Sequence, residues 1–181
     1  FMDANGDGTG DFPGLLRRLD YLQGLGITCI WLNPFQPSPQ RDHGYDITDY
    51  QAVAPEYGTI ADVDHLIDAA HARGLKVMFD LVLNHTADDH RWAQAARAGD
   101  VHHRAYYHVF PDRTLPDRYE RDLHQVFPMT APGNFTHVPG LGWVWTTFYG
   151  YQWDLDWSNP DVFTEMALTM LRLANRGIEA F

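Results

Sequence analysis

The stretch TIADVDHLIDAAHARGLKVMFDLVLNH, residues 59–85, decides the fold. Its first four residues, 59–62, resemble a capping box with Asp in place of the usual Glu or Gln, and the apolar residues after them recur at helical spacing as far as Gly74. The largely apolar run 75–83 then predicts a buried strand, which delivers Asn84-His85 at its C-terminal end.

The same alternation of helix and strand is present on either side of this stretch. A predicted helix over about 12–23 precedes a buried strand at 27–32, and a helix at 159–175 precedes a strand that starts at residue 178. Buried strands that alternate with amphipathic helices indicate βαβ units and a parallel sheet, so the fold class is α/β.

The region between residues 86 and 158 breaks this alternation. Apart from a short helical stretch near 91–98, it is rich in Pro, Gly, His and aromatic residues and is too long for an ordinary loop. We therefore predict three segments: 1–85 and 159–181 in the α/β part, and an inserted subdomain over 86–158.

Composition excludes several classes of partner. The 181 residues carry 13 Lys and Arg against 24 Asp and Glu, a formal net charge of −11, which repels phosphate backbones and anionic membranes. No run of 18 apolar residues exists, so we expect no segment that spans a bilayer. Together with the charge, this means that we expect neither nucleic acid nor membrane as a partner. The lone Cys29 lies in an apolar run, and we interpret it as a small buried hydrophobe.

A short loop near the start places oxygen-bearing residues at every second position. Hard cations need several oxygen ligands, and the interleaved glycines let the backbone curl around an ion, so the loop predicts a structural Ca²⁺ or Mg²⁺ site. The alternative is a solvated acidic turn. The predicted ligands are Asp3, Asn5, Asp7, the Thr9 carbonyl and Asp11.

Three polar or aromatic residues follow predicted strand ends, where α/β barrels carry their sites: Asp42, Tyr45 and His85. For His85 the alternative is a histidine satisfied by neighbouring backbone. There is no Gly-rich phosphate loop, no nucleophile elbow and no zinc-ligand spacing, so we expect no organic cofactor.

Four motifs in this order resemble the α-amylase superfamily, glycoside hydrolase family 13. They are residues 3–11, His43-Gly44-Tyr45-Asp46-Ile47, Asp80-Leu81-Val82-Leu83-Asn84-His85 and Gln152-Trp153-Asp154-Leu155-Asp156. The resemblance implies a partial (β/α)8 TIM barrel, with strands 2 and 3, the start of strand 4, and the family's B domain inserted after strand 3.

The resemblance also implies the residues of a glucose pocket. Asp42 would bond the sugar hydroxyls, Tyr45 would stack on the ring and His85 would bond the 6-hydroxyl. Phe148 would wall the pocket and Gln152 would lie near the acceptor side. In the family the nucleophile, the acid/base and the third acidic residue come from later strands, so we expect these catalytic carboxylates beyond Phe181 and none within the chain.

Two branches of the family compete. Residues 3–11 and 42–50 resemble oligo-α-glucosidases and trehalose synthases, whereas 106–113 and 143–148 resemble amylosucrases. Asp156 replaces the usual Asn of its motif. The expected function is that of a retaining enzyme that hydrolyses or transfers glucose from small α-glucosides such as sucrose, maltose or short α-glucans.

Three other functions stay open. One is an amylosucrase-type glucosyltransferase, another is a trehalose synthase-type isomerase, and the third is a non-catalytic carbohydrate- or cation-binding protein. The oligomeric state is not predictable, and the expected location is the cytoplasm.

Overall fold

The computed structural model describes residues 1–181 and divides into two compact units. Unit 1 consists of residues 1–37, 49–81 and 167–181, and unit 2 consists of residues 38–48 and 82–166. No helix is long and apolar enough to cross a membrane.

The chain contains seven helices and seven strands. The helices are α1 (Phe12–Leu16), α2 (Leu19–Gly24), α3 (Ile60–His71), α4 (Arg91–Arg97), α5 (Val101–Arg104), α6 (Thr114–Tyr119) and α7 (Pro160–Ala174). The strands are β1 (Cys29–Leu32), β2 (Lys76–Phe79), β3 (His85–Ala87), β4 (Val109–Phe110), β5 (Phe135–Val138), β6 (Gly142–Trp145) and β7 (Gln152–Asp154).

Unit 1 contains the parallel strands that the helix–strand alternation predicts. β1 pairs with β2 in parallel, with Cys29 opposite Lys76, and Ala180 extends the pairing through a parallel bridge to Met78. The predicted strand at 178–181 is therefore present only as this single bridge. Parallel neighbours with intervening helices are the unit from which α/β sheets are built.

Helix α3 closes one side of this sheet. The Thr59 side chain accepts from the Asp62 amide and the Asp62 carboxylate accepts from the Thr59 amide, so the predicted capping box is confirmed. Val63, Leu66 and Ile67 are completely buried in the core of unit 1. Each such side chain stabilises the fold by about 1.5–3 kcal/mol relative to exposure.

Two predicted elements differ from those in the structure. The helix expected over 12–23 is two helices, because the chain tightens at Arg18, whose amide donates to the Leu15 carbonyl three residues back. The strand expected over 75–83 ends at Phe79, and His85 begins the separate strand β3 instead of following the end of a long one.

Unit 2 holds two antiparallel sheets. β3 pairs with β7, with His85 opposite Asp154, and β6 lies between β4 and β5. Aromatic side chains form the core around the three-stranded sheet, where the Phe135 ring lies 5.1 Å from that of Trp145 and 5.6 Å from that of Phe110. Favourable aromatic pairs add about 0.5–1.5 kcal/mol each to the stabilisation that burial provides.

Candidate functional site

Asp42 lies in a loop of unit 2, residues 38–46, which we call the Asp42 loop. Nε2 of Gln152, in β7, donates a hydrogen bond of 2.8 Å to Oδ2 of Asp42. The hydroxyl of Tyr151 donates to the Arg41 carbonyl at 3.1 Å, and burial raises the pKa of Tyr151 to about 12, so this donor keeps its proton at neutral pH. Two adjacent residues of the loop are therefore held by Tyr151 and Gln152, and the bond from Gln152 engages only one of the two carboxylate oxygens of Asp42.

His85 lies beside this loop and is neutral. Its side chain is buried, with only 4% of the residue exposed, and burial lowers its pKa, an effect that the nearby charges of Asp42 and Asp46 oppose. Nε2 lies 3.0 Å from the Tyr45 carbonyl oxygen, and Nδ1 lies 3.3 Å from the side-chain nitrogen Nδ2 of Asn84. A carbonyl accepts only, so the network assigns the proton to Nε2.

Phe148 stands against His85 on another side. The two rings meet edge to face with their centroids 5.3 Å apart. The neighbouring Thr147 donates from its amide, at 3.0 Å, and from its hydroxyl to the buried carboxylate of Asp154. Because β7 pairs with β3 in register, Asp154 holds the segment that carries Phe148 close to His85.

The structure thus brings all five predicted pocket residues together in unit 2. The Tyr45 amide donates to the Asp42 carbonyl at 3.0 Å, which links the Asp42–Gln152 pair to the group formed by Tyr45, His85 and Phe148. The one N–H donor of the neutral His85 is already engaged with the Tyr45 carbonyl, so any ligand hydroxyl would have to share or displace that contact.

Sequence reasoning assigned no role to several residues that support this site. Arg41 and Asp46 flank Asp42 in its loop, and Thr147 and Asp154 hold Phe148. One local signal was available. Asp46 is a second carboxylate four residues after Asp42 in a short polar loop, and a carboxylate that becomes buried there needs hydrogen-bond donors of its own.

The predicted cation loop lies in unit 1 and is held by its own side chains. Asp3 accepts from the amides of Asn5, Gly6 and Gly8, and Asp7 accepts from the Thr9 amide and the Asn5 side chain. The bonds from Gly8 and Gly6 lower the pKa of Asp3, which keeps it ionised at neutral pH.

Asp11, the last predicted ligand, serves mainly as a helix cap. It accepts from the Gly14 amide at 2.7 Å and caps α1, and its other oxygen accepts from Ala4. The residue types suit a hard cation, but no three His, Cys, Asp or Glu side chains are arranged as a metal centre. Cation binding therefore stays a prediction.

Comparison with known proteins identifies the family. The family described as "Alpha amylase, catalytic domain" matches residues 1–181. A trehalose synthase from Pimelobacter sp. (strain R48) is 41% identical over 182 residues, which cover 100% of this chain and 31% of that protein. An oligo-1,6-glucosidase from Heyndrickxia coagulans is 37% identical over 186 residues, which cover 100% of this chain and 32% of that protein.

Solved structures agree with these matches. The crystal structure of the trehalulose synthase MutB from Pseudomonas mesoacidophila MX-45 is 38% identical, with a TM-score of 0.86, over 98% of this chain and 32% of that one. A MutB variant has also been crystallised with the substrate sucrose. These neighbours identify the parallel strands of unit 1 as part of a TIM barrel, and the chain spans about a third of the length of the relatives named here. The chain therefore belongs to the α-amylase family, glycoside hydrolase family 13.

Proposed function

We propose that the protein carrying this chain is a retaining enzyme that acts on small α-glucosides. The observation that carries the proposal is the Asp42 carboxylate, held by Gln152 beside a buried, neutral His85, in a member of the α-amylase family. A carboxylate and an imidazole on one side, with an aromatic wall at Phe148, suit a ring that bears hydroxyls on its edges and apolar C–H groups on its faces.

The two polar groups would act on different parts of a bound glucose. Oδ1 of Asp42 accepts hydrogen bonds from ring hydroxyls, while the neutral His85 donates from Nε2. Such contacts strengthen as the ring flattens toward an oxocarbenium-like transition state, so the pocket contributes to turnover as well as to binding. The carboxylates that form and break the glucosyl-enzyme bond lie, on this proposal, outside the 181 residues.

Two reaction types are favoured by particular observations. The 41% identity to a trehalose synthase favours isomerisation, in which the enzyme-bound glucosyl group is transferred to a different hydroxyl of the sugar that has just left. The 37% identity to an oligo-1,6-glucosidase favours hydrolysis, in which water takes the glucose. An amylosucrase-type transfer from sucrose is the third candidate, and it rests on residues 106–113 and 143–148.

Product analysis of the full-length protein tests the proposal. We would incubate it separately with maltose, sucrose and trehalose and resolve the products by anion-exchange chromatography. Interconversion of maltose and trehalose identifies an isomerase, free glucose identifies a hydrolase, and a glucan from sucrose identifies a transferase. Binding of glucose without turnover of any of these sugars would overturn the proposal in favour of a non-catalytic carbohydrate-binding protein.

We also propose that the loop at residues 3–11 binds one Ca²⁺ or Mg²⁺. The support is the ionised Asp3 beside Asn5 and Asp7 on one exposed turn. Calcium titration of the full-length protein by calorimetry should give heat that Asp7→Ala abolishes and that Asp122→Ala, an exposed aspartate of unit 2, leaves in place. Equal heats for the two variants would refute the site.

The finer parts of the fold belong to the same proposal. Residues 86–158 correspond, on this proposal, to the B domain of the family, inserted after barrel strand 3; they lie within unit 2, which also includes residues 38–48 and runs from 82 to 166. A cytoplasmic location and a small-molecule α-glucoside as partner stay predictions.

A further inference from the structure

Asp46 is a carboxylate buried completely inside the Asp42 loop, and the pocket described above gives it no contact with a sugar. Its Oδ1 accepts from the Ser38 hydroxyl at 2.6 Å and from the Asp42 amide at 3.3 Å. Its Oδ2 accepts from both the amide and Nε of Arg41, each at 3.2 Å. Four donors from three residues of one nine-residue loop therefore converge on a single side chain.

Two residues of this loop have an unfavourable backbone conformation, which the hydrogen bonds to Asp46 can stabilise. Gln40 and His43 have φ of 60° and 50°, the left-handed conformation that residues other than glycine seldom adopt. Conformations of this kind persist where the surroundings over-determine them, and they cluster at functional sites. The two left-handed residues stand on either side of Arg41 and Asp42, whose amides both donate to Asp46.

We propose that Asp46 is a positioning residue that sets the backbone of the Asp42 loop and so aims the Asp42 carboxylate at the bound glucose. This inference rests on the proposed function, because it assumes that Asp42 touches substrate. Asp46 acts through Asp42: it fixes the Asp42 amide from inside the loop, while Gln152 holds the Asp42 carboxylate from outside.

A simpler role for Asp46 would be to neutralise the charge of Arg41, but Asp88 and Asp89 already lie beside the Arg41 guanidinium. Nη2 of Arg41 lies 2.7 Å from Oδ1 of Asp88 and 3.5 Å from Oδ2 of Asp89. Asp88 bonds the Arg41 side chain and the Arg97 side chain, and no bond from it reaches the backbone of the Asp42 loop. Asp88 is therefore a matched control for Asp46.

Asparagine at position 46 separates the two roles because it keeps the shape and removes one acceptor. An NH₂ group in the place of Oδ2 would face two donors of Arg41. An NH₂ group in the place of Oδ1 could turn the Ser38 hydroxyl into an acceptor, but it would still oppose the Asp42 amide. In either orientation the substitution breaks bonds that shape the loop next to Asp42.

The test is a double-mutant cycle in the full-length protein, with kcat and KM measured on the sugar that the product analysis identifies. We expect Asp46→Asn to lower kcat/KM by about 10- to 100-fold, mainly through kcat, because a small misplacement of a contacting group has effects of that size. Asp88→Asn should stay within about threefold of the unmodified protein. If Asp46 acts through Asp42, adding Asp46→Asn to Asp42→Asn should cost less than about threefold more.

The outcomes separate the inference from the function on which it rests. If Asp42→Asn leaves kcat/KM unchanged, the proposed function itself is wrong. If Asp42→Asn is damaging but the effect of Asp46→Asn multiplies with it, or equals that of Asp88→Asn, the positioning role is wrong. Should Asp46→Asn fail to fold, Ser38→Ala removes one of the four donors and should show a smaller loss of kcat that is likewise absent in the Asp42→Asn background; a loss that persists there contradicts the inference.

Discussion

Gln152 and Asp42 stand 110 positions apart in the chain and are joined by a hydrogen bond of 2.8 Å from the amide Nε2 to the carboxylate Oδ2. Gln152 is completely buried, and β7 places it by pairing with β3, where His85 lies. The bond engages Oδ2 of Asp42, so on the proposed function Oδ1 is the oxygen that meets the sugar. This pair connects the loop that carries Asp42 to the sheet that carries His85.

Gln152→Glu should damage this site more than its small size change suggests. The substitution sets two carboxylates at hydrogen-bond distance, so one must stay protonated or both must move apart. We expect kcat/KM to fall by about 10- to 100-fold at neutral pH and to recover in part at lower pH. Gln94→Glu, the same change on the exposed side of α4, should leave kcat/KM unchanged; an equal loss in both variants would contradict the role of the Gln152–Asp42 bond.

His85→Ala distinguishes a pocket histidine from a core histidine. If His85 contacts the sugar in the transition state, kcat/KM should fall by an amount equivalent to about 2–4 kcal/mol, with kcat affected. The measurement is kcat/KM together with the melting temperature of the same preparation. Unchanged kinetics with a lowered melting temperature would show that His85 only fills the interior between Tyr45 and Phe148.

The buried His85 should also make the protein less stable in acid. Burial lowers its pKa below the ordinary value of 6.5, so the unfolded chain takes up a proton before the folded one does. The stability that His85 contributes is present above pH 6.5 and is lost as the pH falls from there toward the folded pKa.

Two variants, His85→Gln and His65→Gln, measure this loss of stability in acid. Between about pH 7.5 and pH 5, the melting temperature of His85→Gln should fall less than that of the unmodified protein. His65→Gln, on the exposed side of α3, should follow the unmodified protein. A steeper fall for His85→Gln would contradict a neutral, buried His85.

Much of the α/β part could be predicted because its signals are local. The capping box at Thr59 and Asp62 lies within four residues, and the helical spacing behind it continues to Ala70. The break between α1 and α2 has no such local signal, because the residues at the break, Arg17 and Arg18, are neither Gly nor Pro. It arises where the fully buried Leu19 turns into the core of unit 1.

The residues of the candidate site could be named from the sequence, but their contacts could not. Asp42, Tyr45 and Gln152 could be named from motifs, whereas the 2.8 Å bond between Gln152 and Asp42 depends on the pairing of β7 with β3 across the intervening residues. Asp46 was missed because its four donors come from loop backbone and side chains whose convergence requires left-handed conformations at Gln40 and His43. Single-sequence patterns do not encode such conformations outside glycine.

Trp153 offers a test of packing next to the site. The residue is completely buried, its indole Nε1 has no hydrogen-bond partner, and the Arg97 guanidinium lies 4.7 Å from the centre of its ring. Trp153→Phe keeps an aromatic face and removes the unsatisfied N–H, so it should cost less than about 1.5 kcal/mol of unfolding free energy, whereas Trp153→Ala should cost about 3–5 kcal/mol. Denaturant unfolding of the full-length variants measures both. Equal costs would contradict an indole N–H that is unsatisfied in the folded protein.

The most direct test of the central claim is kcat/KM of the full-length protein on the sugar that the product analysis identifies, with and without Asp42→Asn, and with Asp49→Asn as the matched control. Asp49 is an exposed aspartate that caps its own turn by accepting from the Gln51 amide. We predict that the unmodified protein and Asp49→Asn convert this sugar equally well, and that Asp42→Asn loses about 100-fold or more while its melting temperature stays close to theirs. Absence of turnover of maltose, sucrose and trehalose alike by the unmodified protein, or an Asp42→Asn variant within about threefold of it, would contradict the proposed function.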